Sequence, residues 1–183
     1  MRRRTLLLAG SALTLGTIPL FAQEVRDFGW IELLPGDGTV ARPVPLEEHD
    51  EGGDALLRND GDVEIRSDID GLKVRMVGYV TPVGFKPGSR MMVVDTFLLA
   101  PFTGACVHVP PPPANQLLLC HFAEGIQLAT RLSLDPVMLV GTLKAEKASV
   151  DITVAGYQLE VESAEYVSYE RSSSMDRFVW GTN

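Results

Sequence analysis

Four consecutive prolines, Pro110, Pro111, Pro112 and Pro113, constrain this chain more than any other feature. Each fixes φ near about −65° and removes a backbone donor, so the run takes the polyproline II form and gives no hydrogen bonds to a sheet. Inside a folded domain it is a stiff, extended crossing between two strands. It also holds rigidly what comes just before it, Cys106 and His108. The segments on either side, Ala105 to Val109 and Gln116 to Phe122, have the length and apolar character of short strands.

The rest of the chain also reads as β. Asp70-Gly71 is a turn signal, and Leu72, Val74, Met76, Gly78 and Val80 then fall on one face of a strand that Thr81-Pro82 ends. Met91 to Leu99, Val137 to Lys144 and Tyr157 to Val167 complete the set, the last alternating Leu159, Val161 and Ser163 with Gln158, Glu160 and Glu162. No 3.6-residue period is sustained after residue 62, although one or two helical turns fit Ala123 to Leu132. Gly78 and Gly141 lie inside strands, where glycine permits the sharp bends of barrel corners. The expected fold is mainly β, a small OB-fold-like barrel of five to six strands with a proline-rich hairpin. A β-sandwich is the alternative.

The first residues carry an export pattern. Arg2, Arg3 and Arg4 precede an uncharged apolar stretch from Thr5 to Phe21, and Leu20-Phe21-Ala22 ends in the small residue a signal peptidase needs. Gly10, Gly16 and Pro19 interrupt that stretch, which falls short of a comfortable membrane span. Arg3-Arg4-Thr5-Leu6-Leu7 also resembles the twin-arginine signal, so both that pathway and general secretion remain open. The expected organisation is a cleaved signal peptide over 1–22, an N-terminal arm and acidic loop over 23–62, a barrel over 63–170 and a tail over 171–183. The expected location is the periplasm, with no membrane span left after cleavage near Ala22.

Cleavage removes three arginines and no acid, which takes the net charge from −8 to −11. So negative a surface argues against nucleic acid, because phosphate binding needs basic groups, and it disfavours anionic lipid. It names no partner by itself. The acidic run Glu47-Glu48-His49-Asp50-Glu51 reads as a solvated loop. Asp60-Gly61-Asp62 and Asp68-Ile69-Asp70-Gly71 lack the spacing and distal glutamate of a calcium loop and read as turns. Met76, Met91 and Met92 read as strand packing rather than copper ligands.

Cys106 and His108 carry the chemistry. Two apart on a strand, they face the same side, where a thiolate and an imidazole can share zinc or copper(I). A buried thiol beside a hydrogen-bonded histidine is the structural alternative. Adjacent Cys120 and His121 face opposite ways, so the pairing of the proline-linked strands decides which joins the site. Cys106 opposite Cys120 allows a disulfide or a Cys-His-Cys cluster, and Cys106 opposite His121 allows Cys-His-His. A third register, with Leu119 opposite Cys106, leaves the pair alone. Asn115 and Gln116 are expected to hydrogen-bond backbone beside the prolines or to orient a ligand.

The stretch from Cys106 to Gln116 resembles the signature C-[IV]-H-[VT]-P-P-P-P-x-N-Q of a bacterial envelope family known as domain of unknown function 3299. Trp30-Ile31-Glu32-Leu33-Leu34-Pro35 resembles its opening W-x-x-L-x-P, and Val77-Gly78-Tyr79-Val80-Thr81-Pro82 its G-Y-[MV]-x-P strand. Phe97-Leu98-Leu99-Ala100-Pro101 leads into the signature as in the family, and Val140-Gly141-Thr142-Leu143 and Gly156-Tyr157 resemble its closing strands. The resemblance implies no established activity. It implies an association with envelope transporter permeases and zinc-handling proteins, and it carries over onto Cys106, His108, Pro110 to Pro113, Asn115 and Gln116. Cys120 lies outside the signature.

The three histidines and the absence of G-x-S-x-G, H-E-x-x-H or a phosphate loop leave no assembled catalytic machinery. The expectation is a non-enzymatic binding or accessory protein that handles zinc or copper at Cys106 and His108 beside an envelope transporter. The alternative is an interaction module that uses the rigid proline segment, with the cysteine and histidine structural.

Overall fold

In the computed structural model, the described residues are 23–36, 63–88, 92–102, 112–128, 135–150 and 153–167. Eight strands occur among them. In chain order they are β1 Arg26–Asp27, β2 Lys73–Phe85, β3 Val93–Ala100, β4 Leu118–Gln127, β5 Val137–Lys144, β6 Ala148–Val150, β7 Thr153–Ala155 and β8 Tyr157–Tyr166. Period-two patterning explains β5 most directly: Val137, Leu139, Gly141 and Leu143 are buried, and the residues between them are half-buried.

The sheet order is β2-β3-β4-β8-β5, and β5 pairs back onto β2, which closes a five-stranded barrel. The barrel pairs are antiparallel except β4–β8, which run parallel from Leu118 opposite Tyr157. This is the topology of an OB barrel. Short β1 adds in parallel to the first half of β2.

Closure depends on the two strand glycines. β2 pairs with β5 from Lys73 to Gly78 and with β3 from Tyr79 onward, so Gly78 is the handover point. A Cβ there would lie 2.8 Å from the Ala100 carbonyl oxygen and 2.9 Å from Trp30 Cζ2. Gly141 sits at the bulge between β5 and β8, where a Cβ would overlap the Glu160 backbone.

Several sequence expectations change in detail. β2 does not end at Thr81-Pro82: Pro82 pairs with Phe97, and the strand runs to Phe85. β5 accompanies β2 only to Gly78, so beyond it β2 is an edge in this sheet, where proline is tolerated. Ala123 to Gln127 is the end of β4 rather than a helical turn. A register shift between Val94 and Thr96 separates the Ile126 pairing from the His121 pairing, and the buried residues Phe122 and Ile126 keep a spacing of four that fits a strand face as well as a helical turn. The ribbon β6–β7 was not expected at all.

The barrel encloses one core, with Val74, Met76, Phe97, Leu99, Leu118, Leu139 and Leu159 among its members. Phe28, Trp30, Leu33 and Leu34 join it from the N-terminal arm. Trp30 donates from Nε1 to the Val77 carbonyl at 2.7 Å, which satisfies its one polar atom in the interior. A second apolar layer lies on the outer side of β3 and β4, where Leu98, Ala100, Leu117 and Leu119 pack with Phe102, Val150 and Ala155. β3 and β4 read as continuous apolar runs because both of their faces are covered. No helix among the described residues is long and apolar enough to cross a membrane.

Candidate functional site

The proline-rich signature is the connection from β3 to β4. Its described part starts at Pro112, which is buried, and Pro113, which is exposed with φ −53° and ψ 152°. That extended geometry delivers the chain into a 3-10 turn, Ala114–Gln116. The turn closes by Gln116 N–H donating to Pro113 O at 2.8 Å and Leu117 N–H to Ala114 O at 3.1 Å. Proline supplies no donor, so the acceptors it brings are satisfied from the residues that follow.

The turn is fastened on two sides. The Ala114 carbonyl also accepts from Gly156 N–H at 2.7 Å, and Asn115 Nδ2 donates to the Glu64 carbonyl at 3.2 Å. Asn115 thus bonds the backbone of the chain leading into β2, not backbone beside the prolines. Ala114 and Gln116 are buried. Two buried side-chain oxygens near this junction, Asn115 Oδ1 and Thr153 Oγ1, have no hydrogen-bond partner among the described residues.

The same end of the barrel is locked by a tyrosine. Tyr157 begins β8, and its hydroxyl donates to Leu33 O at 2.6 Å while accepting from Arg66 N–H at 2.7 Å. Burial pushes the phenol above its ordinary value, against the lowering effect of the Arg66 N–H and guanidinium. Arg66 itself spans to Glu32 O at 2.8 Å and to the Asp68 carboxylate.

Cys120 and His121 part company as adjacent strand residues must. Cys120 lies in the barrel core, opposite Phe97 on β3 and Leu159 on β8. It is a free thiol, and burial pushes its ionisation far above the ordinary range. His121, half-buried, stands opposite Thr96 and Glu160. The three registers considered for a strand over 105–109 fall on residues outside those described. Across Leu118 to His121, β4 pairs with β3 on one edge and with β8 on the other. The hairpin is β3–β4, and the proline-rich segment is its connection. Cys106, His108, Pro110 and Pro111 lie outside the described residues, as do the expected signal peptide over 1–22, residues 37–62 of the expected acidic loop and the expected tail.

Among the described residues no three of His, Cys, Asp or Glu gather to hold a metal ion. At the other end of the barrel, where β4 and β8 diverge, Phe122, Ile126, Val137, Ala164, Glu165 and Tyr166 line a cleft of about 150 Å³. Tyr166 donates across it to Gln127 O at 2.9 Å. Sequence reasoning missed Gly156 and Thr153 as neighbours of the signature. The period-two run of Val150, Ile152 and Val154 reads as one strand, whereas Val150 pairs with Thr153 across a turn, so the ribbon leaves no plain signal in the sequence.

Residues 30–166 match the model of a family described as protein of unknown function, DUF3299. A crystal structure of a DUF3299 family protein from Pseudomonas aeruginosa PAO1 is similar to this chain at 30% identity, with a TM-score of 0.67. The similarity covers 80% of this chain and 98% of that one. No curated protein shows a significant match to the chain.

Proposed function

This chain belongs to the DUF3299 family, and from that premise we propose that it is a non-enzymatic periplasmic binding or accessory protein that handles a transition metal at Cys106 and His108. The observation that carries this reading is the fastening of the signature's exit. Gly156 gives one backbone hydrogen bond to Ala114 O, and Asn115 of the turn donates from its side chain to Glu64 O, so the end of this one connection is held on two sides. Four prolines in sequence restrict the backbone of any chain that carries them, so a fixed exit supports the reading of Cys106 and His108 as a preorganised ligand pair.

Zinc and copper(I) are the cations these groups suit. Cys120 faces the core, so this reading takes Cys106 as the thiolate, with His108 and the candidate His121 as imidazoles. A set of fewer than four protein ligands would suit handling and transfer rather than permanent retention, and an envelope transporter component is the partner expected from the family resemblance. The interaction-module reading draws on Pro113, which is exposed in an extended conformation suited to recognition by a partner.

Titration of the mature chain with zinc and copper(I), beside a Cys106→Ala/His108→Ala variant, separates the two. The metal reading expects binding in the native protein and a loss of affinity of at least about tenfold in the variant. No binding by either protein, or equal binding by both, contradicts it. The interaction reading then stands or falls on whether envelope extracts yield a partner that depends on Pro110 to Gln116.

A further inference from the structure

Beyond His121 the two parallel strands part. β4 pairs with β8 only from Leu118 to His121, yet β4 runs on to Gln127 and β8 to Tyr166. The parting is built into β4. Between the pairs Thr96–His121 and Val94–Ile126, four residues, Phe122 to Gly125, stand against Asp95 alone, and such a bulge bends the strand that carries it. Gly125 takes a φ of 79° there, and a Cβ on it would lie 2.4 Å from Val93 Cγ1, so the bend calls for glycine.

The outer edges of both strands stay paired, β4 with β3 at Val93 and Val94, and β8 with β5 through Tyr166. Their facing edges are unpaired rows of backbone groups among the described residues. Ladder alternation identifies the groups. Leu128 N–H donates to Met92 O and Val167 N–H to Pro136 O, so Ile126 and Leu128 bond toward β3, and Glu165 and Val167 toward β5. Gln127, Ala164 and Tyr166 turn their backbone groups into the cleft instead. The Gln127 carbonyl bears this out: the Tyr166 hydroxyl reaches across to it, a side chain standing where a strand's N–H would be.

The cleft has an apolar floor and an acidic rim. Phe122, Ile126, Val137 and Ala164 line it. Exposed Phe85 faces Val94 across β2–β3, and Val94 faces Ile126 across β3–β4, so the apolar sheet face continues past the cleft. Along β8, Glu160 is paired with Lys144 and Glu162 with Lys73. Glu165, at the cleft, has no ion-pair partner among the described residues, and neither has exposed Glu124 beside Gly125.

We propose that this split seam accepts a strand: an extended segment of a partner protein, with alternating apolar and basic residues, adds between β4 and β8. Its backbone bonds Gln127 on one side and Ala164 and Tyr166 on the other, its apolar side chains meet Ile126 and Ala164, and its basic groups meet Glu124 and Glu165. This site is separate from the proposed metal ligands and does not depend on them.

The test is amide hydrogen exchange of the full chain with a synthetic heptapeptide of alternating lysine and valine, beside one with glutamate in place of lysine. The lysine peptide is expected to slow exchange at Gln127, Ala164 and Tyr166 by at least about tenfold, and at Ile126, Leu128 and Glu165, already bonded to β3 or β5, by less than about twofold. The glutamate peptide is expected to bind at least about fivefold more weakly. Glu165→Lys, an exposed change that leaves the barrel intact, is expected to weaken the lysine peptide about threefold.

The proposal fails if the lysine peptide leaves Gln127, Ala164 and Tyr166 unchanged, slows all six amides alike, or binds no better than the glutamate peptide. It fails equally if those three amides are as protected as Ile126 and Glu165 before any peptide is added. A segment of this chain then fills the seam, or a second copy does if the protection grows with protein concentration.

Discussion

Tyr157 and Cys120 both keep their protons in the interior, and this gives the fold a defined alkaline limit. Burial raises both groups above their ordinary values of 10.0 and 9.0. The unfolded chain therefore releases these protons first as pH rises. Their contribution is complete below the unfolded values and declines above them, by up to about 1.4 kcal/mol per pH unit for each group. Urea midpoints followed from about pH 8 to about pH 11 should fall more steeply for the native protein than for Tyr157→Phe. Parallel slopes would contradict the assignment. At neutral pH, Tyr157→Phe leaves Leu33 O and Arg66 N–H without their partner and should cost about 1–3 kcal/mol. The same unfolding curves measure it.

At the level of elements, β2 determines whether the barrel closes. It changes partner at Gly78, where Ala100 and Trp30 approach too closely for a side chain. Gly78→Ala should destabilise by about 1–3 kcal/mol, from overpacking and a displaced Trp30, with the loss read by chemical unfolding. A stability within error of native would show that the handover does not need glycine. Much of this was legible in the chain: alternation placed β5 and most of β8, and the two strand glycines pointed to a closed barrel. Pro82 was misread as a terminator because its tolerance depends on where β5 stops pairing, a tertiary fact. The β3–β4 pairing was hidden because both strands are apolar on both faces, which erases the alternation that fixes register. At the site, the segment itself was plain in four prolines, whereas its anchors Gly156 and Glu64 lie about 40 and 50 residues from it in sequence and leave no local trace.

Across the whole molecule, topology and surface point to different uses. An OB barrel commonly takes ligands on the face of its second and third strands. Here those strands are β3 and β4, and their outward residues Leu98, Ala100, Leu117 and Leu119 are buried in an apolar layer with the β6–β7 ribbon. A net charge of −8 offers phosphates no counter-charge. The connection between the two strands is thus the element this account makes functional. Zinc K-edge absorption on the mature chain loaded with one equivalent of zinc tests that claim most directly. The account predicts one sulfur at about 2.3 Å and nitrogen at about 2.0–2.1 Å, with the sulfur lost in Cys106→Ala although Cys120 remains. A shell of oxygen and nitrogen alone, unchanged in that variant, would contradict it.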